Sequence, residues 1–321
     1  MQISKLAVII PVYNEQEALL SNIKEIRQCF KEDGLIFSLL LVDDGSTDNT
    51  WVEIEELVAK YYEISAIRLS RNFGKEAAIC AGLEMVTADY YLVMDSDLQH
   101  PPEAVKKMFL LIRQEGADII NGVKKRRNNE GLIYRFLATA FYKVLKVSSG
   151  LDLKNSSDFK LFNDRVASAL RLFEEKQLFF RGLIAWVGFK ALYYPFSVGK
   201  RQLGKSRFSR KKLFSLAQNS IFAYTGKPLY LTIMVGAIFF VSAFILAVQT
   251  LYNYLSSQAV TGFTTVILLI LISGSLIMLS LGMIGIYIAR IYEEIKHRPR
   301  HIITDMVGFY ETKGNPFKRG Y

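Results

Sequence analysis

YYLVMDSDLQHPPE, residues 90–103, decides the fold. It is a short apolar run that ends in Asp95, Asp97 and Gln99 and is closed by Pro101-Pro102. Four or five consecutive apolar residues followed by acids predict a buried strand, Tyr90–Met94, that delivers carboxylates to its C-terminal end. In an open α/β sheet the crevice outside the carboxyl ends of the strands is where ligands bind. Two carboxylates one residue apart, with an amide beside them, form a hard oxygen set suited to Mg²⁺ or Mn²⁺ carrying phosphate. The plain alternative is an Asx-rich turn capping the helix that starts at the double proline.

The neighbouring sequence repeats the pattern. Strands are predicted at Leu6–Ile10, Phe37–Val42, Ile64–Leu69 and Asp118–Gly122, and helices near Glu15–Lys31, Thr47–Lys60, Lys75–Val86 and Pro102–Glu115. Alternating strands and amphipathic helices are consecutive βαβ units and imply a parallel sheet. The first strand ends at Asn14 and Glu15, and the second in Asp43-Asp44-Gly45-Ser46-Thr47-Asp48. Helix capping would need only one such side chain. Here acids gather at the ends of three strands, as contacts to a ribose, a base and a diphosphate would require.

Composition sets the surroundings. The net charge of +10 favours anionic partners, and 51% hydrophobic residues is high for a soluble chain. From Lys124 to Arg127 runs a basic cluster, and LIYRFLATAFYKVLKV after it suits an amphipathic helix on a membrane surface or, equally, a core helix beside a solvated charge run. A second basic cluster spans Lys200–Lys212. After Lys227 the next charged residue is Arg290. Two membrane spans are therefore expected, at about 229–251 and 263–289, since roughly 20 apolar residues cross a bilayer. Basic flanks on both sides place both ends in the cytoplasm and a short hairpin outside. Gly274, Ser275, Gly282 and Gly285 put small residues along the second span, a face suited to close packing and to a homo-oligomer. The N-terminal apolar run stops at Pro11 without a cleavage site, so no signal peptide is expected. Cys29 and Cys80 are read as free thiols on apolar helix faces. Nucleic-acid binding would leave both the acids and the spans idle.

In this order, IIPVYNE, VDDGSTD, LSRNFGKEAAICAGL, DSDLQHPPE, SSDFKLFNDRV, FFRGLIAWVGF and RQLGKSRFS, followed by two spans, resemble the polyisoprenyl-phosphate glycosyltransferases. These are inverting family-2 enzymes that include dolichol-phosphate mannose synthases and the bacterial GtrB-type undecaprenyl-phosphate glucosyltransferases. The resemblance covers about residues 5–304. It implies a Rossmann-like GT-A α/β domain over residues 1–200 with a parallel-dominated sheet, a basic juxtamembrane segment over 201–227, a transmembrane hairpin over 228–289 and a basic cytoplasmic tail over 290–321. It also implies a nucleotide-sugar donor, a polyisoprenyl phosphate acceptor and a bacterial inner-membrane location.

By the same resemblance, Pro11, Tyr13, Glu15 and Asp44 surround the base and ribose, and the loop Asn72-Phe73-Gly74-Lys75 closes on the nucleotide. Asp95 faces the nucleotide, while Asp97 with Gln99 holds Mg²⁺ or Mn²⁺. Arg126, Arg135, Arg201 and Arg207 bind acceptor phosphate or donor diphosphate. Asp158 either acts as base or stabiliser of the sugar cation, or orients an active-site arginine. The family usually has Ser-Lys-Tyr at Ser206-Arg207-Phe208 and commonly Gly-Asp-Phe at Ser157-Asp158-Phe159. UDP-glucose is the first choice of donor, with GDP-mannose and a UDP-aminoarabinose-type sugar as alternatives. A processive polysaccharide synthase would carry a QxxRW motif and more spans, but Arg181 is followed by Gly182. A membrane-anchored nucleotide-binding scaffold would have lost the metal acids.

Overall fold

The computed structural model describes residues 5–124, 156–173, 175, 179–197, 227–256 and 262–309. Arg126, Arg135, Arg201 and Arg207 lie outside the described residues. The chain divides into two units, one built on a sheet and one on two long helices.

In the first unit β1 (Leu6–Val12), β2 (Phe37–Asp43), β3 (Ile64–Leu69) and β4 (Tyr90–Val93) are parallel, in the order β4-β1-β2-β3. α1 (Leu19–Glu32), α2 (Thr50–Lys60), α3 (Lys75–Met85) and α4 (Glu103–Gln114) connect them and lead on to β5 (Ile119–Lys124). β6 (Ser156–Asn163) inserts antiparallel between β4 and β5. α5 (Asp164–Arg171), α6 (Phe180–Trp186) and β7 (Ala191–Phe196) follow, β7 parallel to β5.

The strands are apolar on both faces because helices cover both. Val8, Ile10, Leu39 and Leu41 join the α1 residues Leu19, Ile23, Ile26 and Phe30 in one cluster. Ala7, Ile9, Leu40 and Val42 face Ala78 and Ile79 of α3 in the other. Spacing of three, four and seven residues puts the α1 set on one stripe, and each such side chain contributes about 1.5–3 kcal/mol when fully buried. Gly82 of α3 sits over β1, where a Cβ would stand 2.5 Å from Ile9 Cγ2.

Two helix starts lie further along than the spacing predicts, and both delays have a cause. α1 begins at Leu19 rather than Glu15 because Asn14 adopts φ 52° and turns the chain. α2 begins at Thr50 rather than Thr47 because Thr47 N–H is given to Asn14 Oδ1 at 2.8 Å and Thr50 N–H to Asp48 Oδ1 at 3.0 Å.

The largest departure is at the C-terminal end. β8 (Ile303–Val307) pairs antiparallel with β3 at one end of the eight strands among the described residues, a strand that was not expected within the basic tail of residues 290–321. A break in the register between Arg68 and Leu69 explains why this was not legible: it puts Ile303 and Met306, three residues apart, on one apolar cluster and Val307 on the other, so the strand lacks a period of two. Both cysteines are free, and burial first of all pushes the Cys80 thiol up to about 12.

The second unit holds α7 (Lys227–Leu255) and α8 (Phe263–Ile295), of 29 and 33 residues. Within α8 the stretch Ile272–Ile295 is long and apolar enough to cross a membrane, while the apolar stretch of α7 among the described residues, Met234–Thr250, is shorter. Consecutive Ile277, Met278 and Leu279 are all exposed, so this part of α8 is apolar on more than one face. A Cβ on Gly274, Gly282 or Gly285 would meet no heavy atom within 4 Å, so the small-residue face is open in the single chain.

Candidate active site

The loops after β1, β2 and β4 are laced together at the C-terminal edge of the sheet. Asn14 N–H donates to Ser46 Oγ at 2.9 Å, Glu15 N–H donates to Thr50 Oγ1 at 2.9 Å, and Ser96 Oγ donates to Glu15 Oε2 at 2.8 Å. Asp43, fully buried, accepts Ser46 N–H at 3.0 Å and faces Arg68 Nε at 3.4 Å. Asp44 accepts the N–H groups of Phe73 at 2.8 Å and Gly74 at 2.9 Å. Burial foremost raises the pKa of both aspartates. Asp44 thus pins the Asn72–Lys75 loop, whose Asn72 is exposed, to the end of β2. Pro11 lies within β1 opposite Val42, and half-buried Tyr13 directly follows that strand.

After β4, Asp95 N–H donates to His100 Nδ1 at 3.0 Å, and the buried His100 ring stacks on Phe159 with centroids 4.9 Å apart. Leu98 takes φ 57°, a conformation that non-glycine residues seldom adopt and that is held here by the turn. Gln99 donates its N–H to Asp97 Oδ1 at 3.1 Å and its amide NH₂ to Asp97 Oδ2 at 2.7 Å. The backbone bond is the Asx turn of the plain alternative, and the side-chain bond turns the nitrogen of the Gln99 amide, not its oxygen, toward Asp97.

Beside these loops lies a cluster of opposed charges. Lys75 Nζ, at the start of α3, stands 2.6 Å from Asp95 Oδ1 and 2.7 Å from Asp158 Oδ2. Arg181 of α6 forks onto the same Asp158, Nε to Oδ1 at 2.6 Å and Nη2 to Oδ2 at 3.0 Å. Alternation along β6 puts Lys160 on the same face as Asp158; it is 1% exposed, with Nζ 2.5 Å from Asn121 Oδ1 on β5. Glu76 accepts Phe180 N–H at 2.8 Å.

Burial opposes charge on Asp158, but Lys75 and Arg181 outweigh it and hold the carboxyl well below the usual carboxylate range. Lys75, bracketed by Asp95 and Asp158, is raised above its ordinary value despite the same burial penalty. Desolvation pulls Lys160 down to about 7, while desolvation and then Asp158 push Glu76 up to about 7. An aspartate held so firmly ionised is a weak proton acceptor and a strong anchor for cations.

The structure therefore brings together Lys75, Asp95 and Asp158 of the expected residues, ties Glu15 to the loop after β4 through Ser96, leaves Asp97 in its turn with Gln99, and adds Glu76, Lys160 and Arg181 to the cluster. Lys160 could have been found had β6 been recognised, since a lysine two residues from an acid on one strand shares its face. Arg181 had no such local signal, because its partner is 23 residues away.

Among the described residues no group of three or more His, Cys, Asp or Glu could hold a metal ion on its own. Asp97 fits a different arrangement, in which a Mg²⁺- or Mn²⁺-like ion takes one or two protein oxygens and the rest from a substrate's phosphates, and Gln99 would add its oxygen there once its amide turned over.

A Rossmann-like, mostly parallel sheet with acids and cations converging on the C-terminal strand ends is the layout of a GT-A glycosyltransferase. Residues 7–170 match the model of glycosyl transferase family 2, and the chain belongs to that family. It is 31% identical to an uncharacterized glycosyltransferase of Synechocystis, covering 95% of this chain and 96% of that one. It is 32% identical to the prophage bactoprenol glucosyl transferase homolog of Escherichia coli K12, over 93% of this chain and 98% of that one. With the bactoprenol glucosyl transferase of Shigella phage SfV it shares 31% identity over 93% of this chain and 98% of that one.

Proposed function

We propose that this family-2 enzyme transfers a hexose, in the first place glucose from UDP-glucose, to a polyisoprenyl phosphate such as undecaprenyl phosphate, with inversion. The observation that carries the reading is the Lys75–Asp95–Asp158–Arg181 cluster at the strand ends of a chain similar, nearly end to end, to relatives named bactoprenol glucosyl transferases.

The acceptor is a phosphate monoester whose second pKa is about 6, so near neutral pH it is mostly a dianion and already nucleophilic. Its oxygen attacks the anomeric carbon as the bond to the nucleoside diphosphate breaks, and no proton has to be removed. The work left to the protein is to place the two substrates and to meet the charge growing on the leaving diphosphate. Lys75 and Arg181 supply cations there, and Asp158 holds both in position, which makes it an anchor rather than a base. A divalent ion held by Asp97 and Gln99 would neutralise diphosphate charge when bound. Pro11, Tyr13 and Glu15 flank the base and ribose. Arg126, Arg135, Arg201 and Arg207 are assigned to the acceptor phosphate or donor diphosphate.

Membranes carrying the protein, incubated with undecaprenyl phosphate and each radiolabelled donor in turn, should label the lipid from UDP-glucose alone. Labelling from GDP-mannose or a UDP-aminoarabinose instead would move the assignment to that donor, and no labelling from any of them would defeat it. Asp97→Asn should raise the Mg²⁺ or Mn²⁺ concentration needed for half-maximal transfer by about tenfold or more, because one carboxylate is most of the protein's share of such a site. Wild-type transfer in limiting Mg²⁺ by that variant would remove Asp97 from the metal site.

The location that goes with this reading is a bacterial inner membrane with the sheet unit and both termini in the cytoplasm. A cysteine placed at Ser256, between the two long helices, should react with an impermeant thiol reagent added outside intact cells. One placed at exposed Glu56 of α2 should react only after the cells are opened. The opposite pattern would invert the topology and part the donor site from cytoplasmic nucleotide sugars.

A further inference from the structure

Two consecutive residues at the start of α3 serve different partners. Lys75 reaches Asp95 and Asp158, whereas Glu76 turns to α6 and takes the Phe180 N–H on its Oε2 at 2.8 Å. The first N–H groups of a helix have no partner within it. The residue before this one, Phe179, has no side-chain oxygen to offer. Glu76 is therefore a cap delivered from another helix. Phe180 is buried at 1% exposure with its ring beside Phe162, so packing fixes its side chain and Glu76 fixes its backbone.

The next residue along is Arg181. Its fork on Asp158 needs both N–H groups in one plane with the two carboxylate oxygens, a geometry that tolerates little displacement of the backbone beneath it. We propose that Glu76 is a positioning residue that acts through Arg181, holding the first turn of α6 so that the guanidinium stays aimed at Asp158 and the donor diphosphate. The role rests on the reading of this cluster as the diphosphate site.

The groups facing Glu76 are Lys75 on its own helix, Asp158 and Lys160 on β6, and Arg181 on α6, with Cys80 one turn further along α3. Desolvation and the Asp158 charge bring its carboxyl up to about 7, so both protonation states are populated at neutral pH. Either state keeps an oxygen that accepts from Phe180. The contact consequently needs an acceptor of this length and not the charge, and glutamine provides one.

The test is a double-mutant cycle on the full-length protein in membranes or detergent, with folding checked by size exclusion. Rate and donor KM are read for Glu76→Ala and Glu76→Gln, each alone and in an Arg181→Lys background. Glu76→Ala should lower kcat/KM by about tenfold, the cost of an orphaned N–H and a slackened helix start, and Glu76→Gln should recover most of that loss. In the Arg181→Lys background Glu76→Ala should add little, because the fork it protects is already gone. An equal loss in both backgrounds would show that Glu76 only stabilises the fold, and glutamine no better than alanine would show that charge is what matters; either overturns the proposal. Arg181→Lys with unchanged rate and donor KM has a different signature, and it would remove the diphosphate reading on which the proposal stands.

Discussion

Asp158→Ala should abolish measurable sugar transfer and also weaken the sheet unit by about 3 kcal/mol, the low end for breaking a buried ion pair because its partners keep contact with solvent. The side chain of Asp158 is 7% exposed, against 39% for Lys75 and 33% for Arg181. Removing it leaves both cations without their shared partner and lets each drift from where a diphosphate would meet it. Asp158→Asn tests the same point without changing size. The amide turns donors toward a lysine and an arginine that are themselves donors only, so it should be nearly as inactive. Thermal unfolding in detergent measures the first effect and lipid labelling the second. The pH dependence follows from the direction of the shift. A carboxylate whose folded pKa is depressed contributes stability that is fully present above the ordinary aspartate value of about 3.9 and is lost only as pH falls through the depressed value. Transfer by the wild type should accordingly show no acid limb from Asp158 at mildly acidic to neutral pH. A limb there that vanished in Asp158→Asn with activity retained would restore the general-base role.

What the sequence disclosed and what it withheld divide along the range of the interactions. β1 to β5 and α1 to α4 were legible because each carries its own signal: an apolar run, a 3.6-residue stripe, or a turn chemistry such as Asp43-Asp44-Gly45. The acids at the strand ends were legible for the same reason. β6 has a recognisable centre, but its insertion between β4 and β5 depends on pairing across some seventy residues, Tyr91 with Phe162 for instance. β8 depends on a longer return still, from Ile303 back to Leu69. The cluster itself is assembled from α3, β4, β6 and α6, and only the fold puts Lys75, Asp95, Asp158 and Arg181 within a few ångströms. Asp44 shows the limit most plainly. Its place at the end of β2 was readable, but its engagement with the Phe73 and Gly74 N–H groups was not, since these lie 29 and 30 residues on.

That engagement sets the second large effect. Gly45→Ala should cost about 2–5 kcal/mol of stability, the sum of a left-handed backbone and a steric overlap, and lower the transfer rate by about a hundredfold. Gly45 has φ 68°, and a Cβ there would stand 2.4 Å from the carbonyl carbon of Arg71 and 2.7 Å from its Cα. Those are backbone atoms, so no side-chain rotation relieves the contact; the Arg71 segment must move away. Phe73 and Gly74 follow it by two and three residues, which takes their N–H groups off Asp44, and Lys75 is next in line with its hold on Asp95 and Asp158. Gly34 supplies an internal control, for it has the same φ of 68° but nothing within 4 Å of its would-be Cβ. Gly34→Ala should lose only the conformational share, about 1–2 kcal/mol, and leave the rate as it was. Thermal unfolding and initial rates of lipid labelling on the two variants separate the terms. If the two substitutions cost the same stability and the same rate, the close approach of Gly45 to Arg71 is not what holds the Asn72–Lys75 loop over the site.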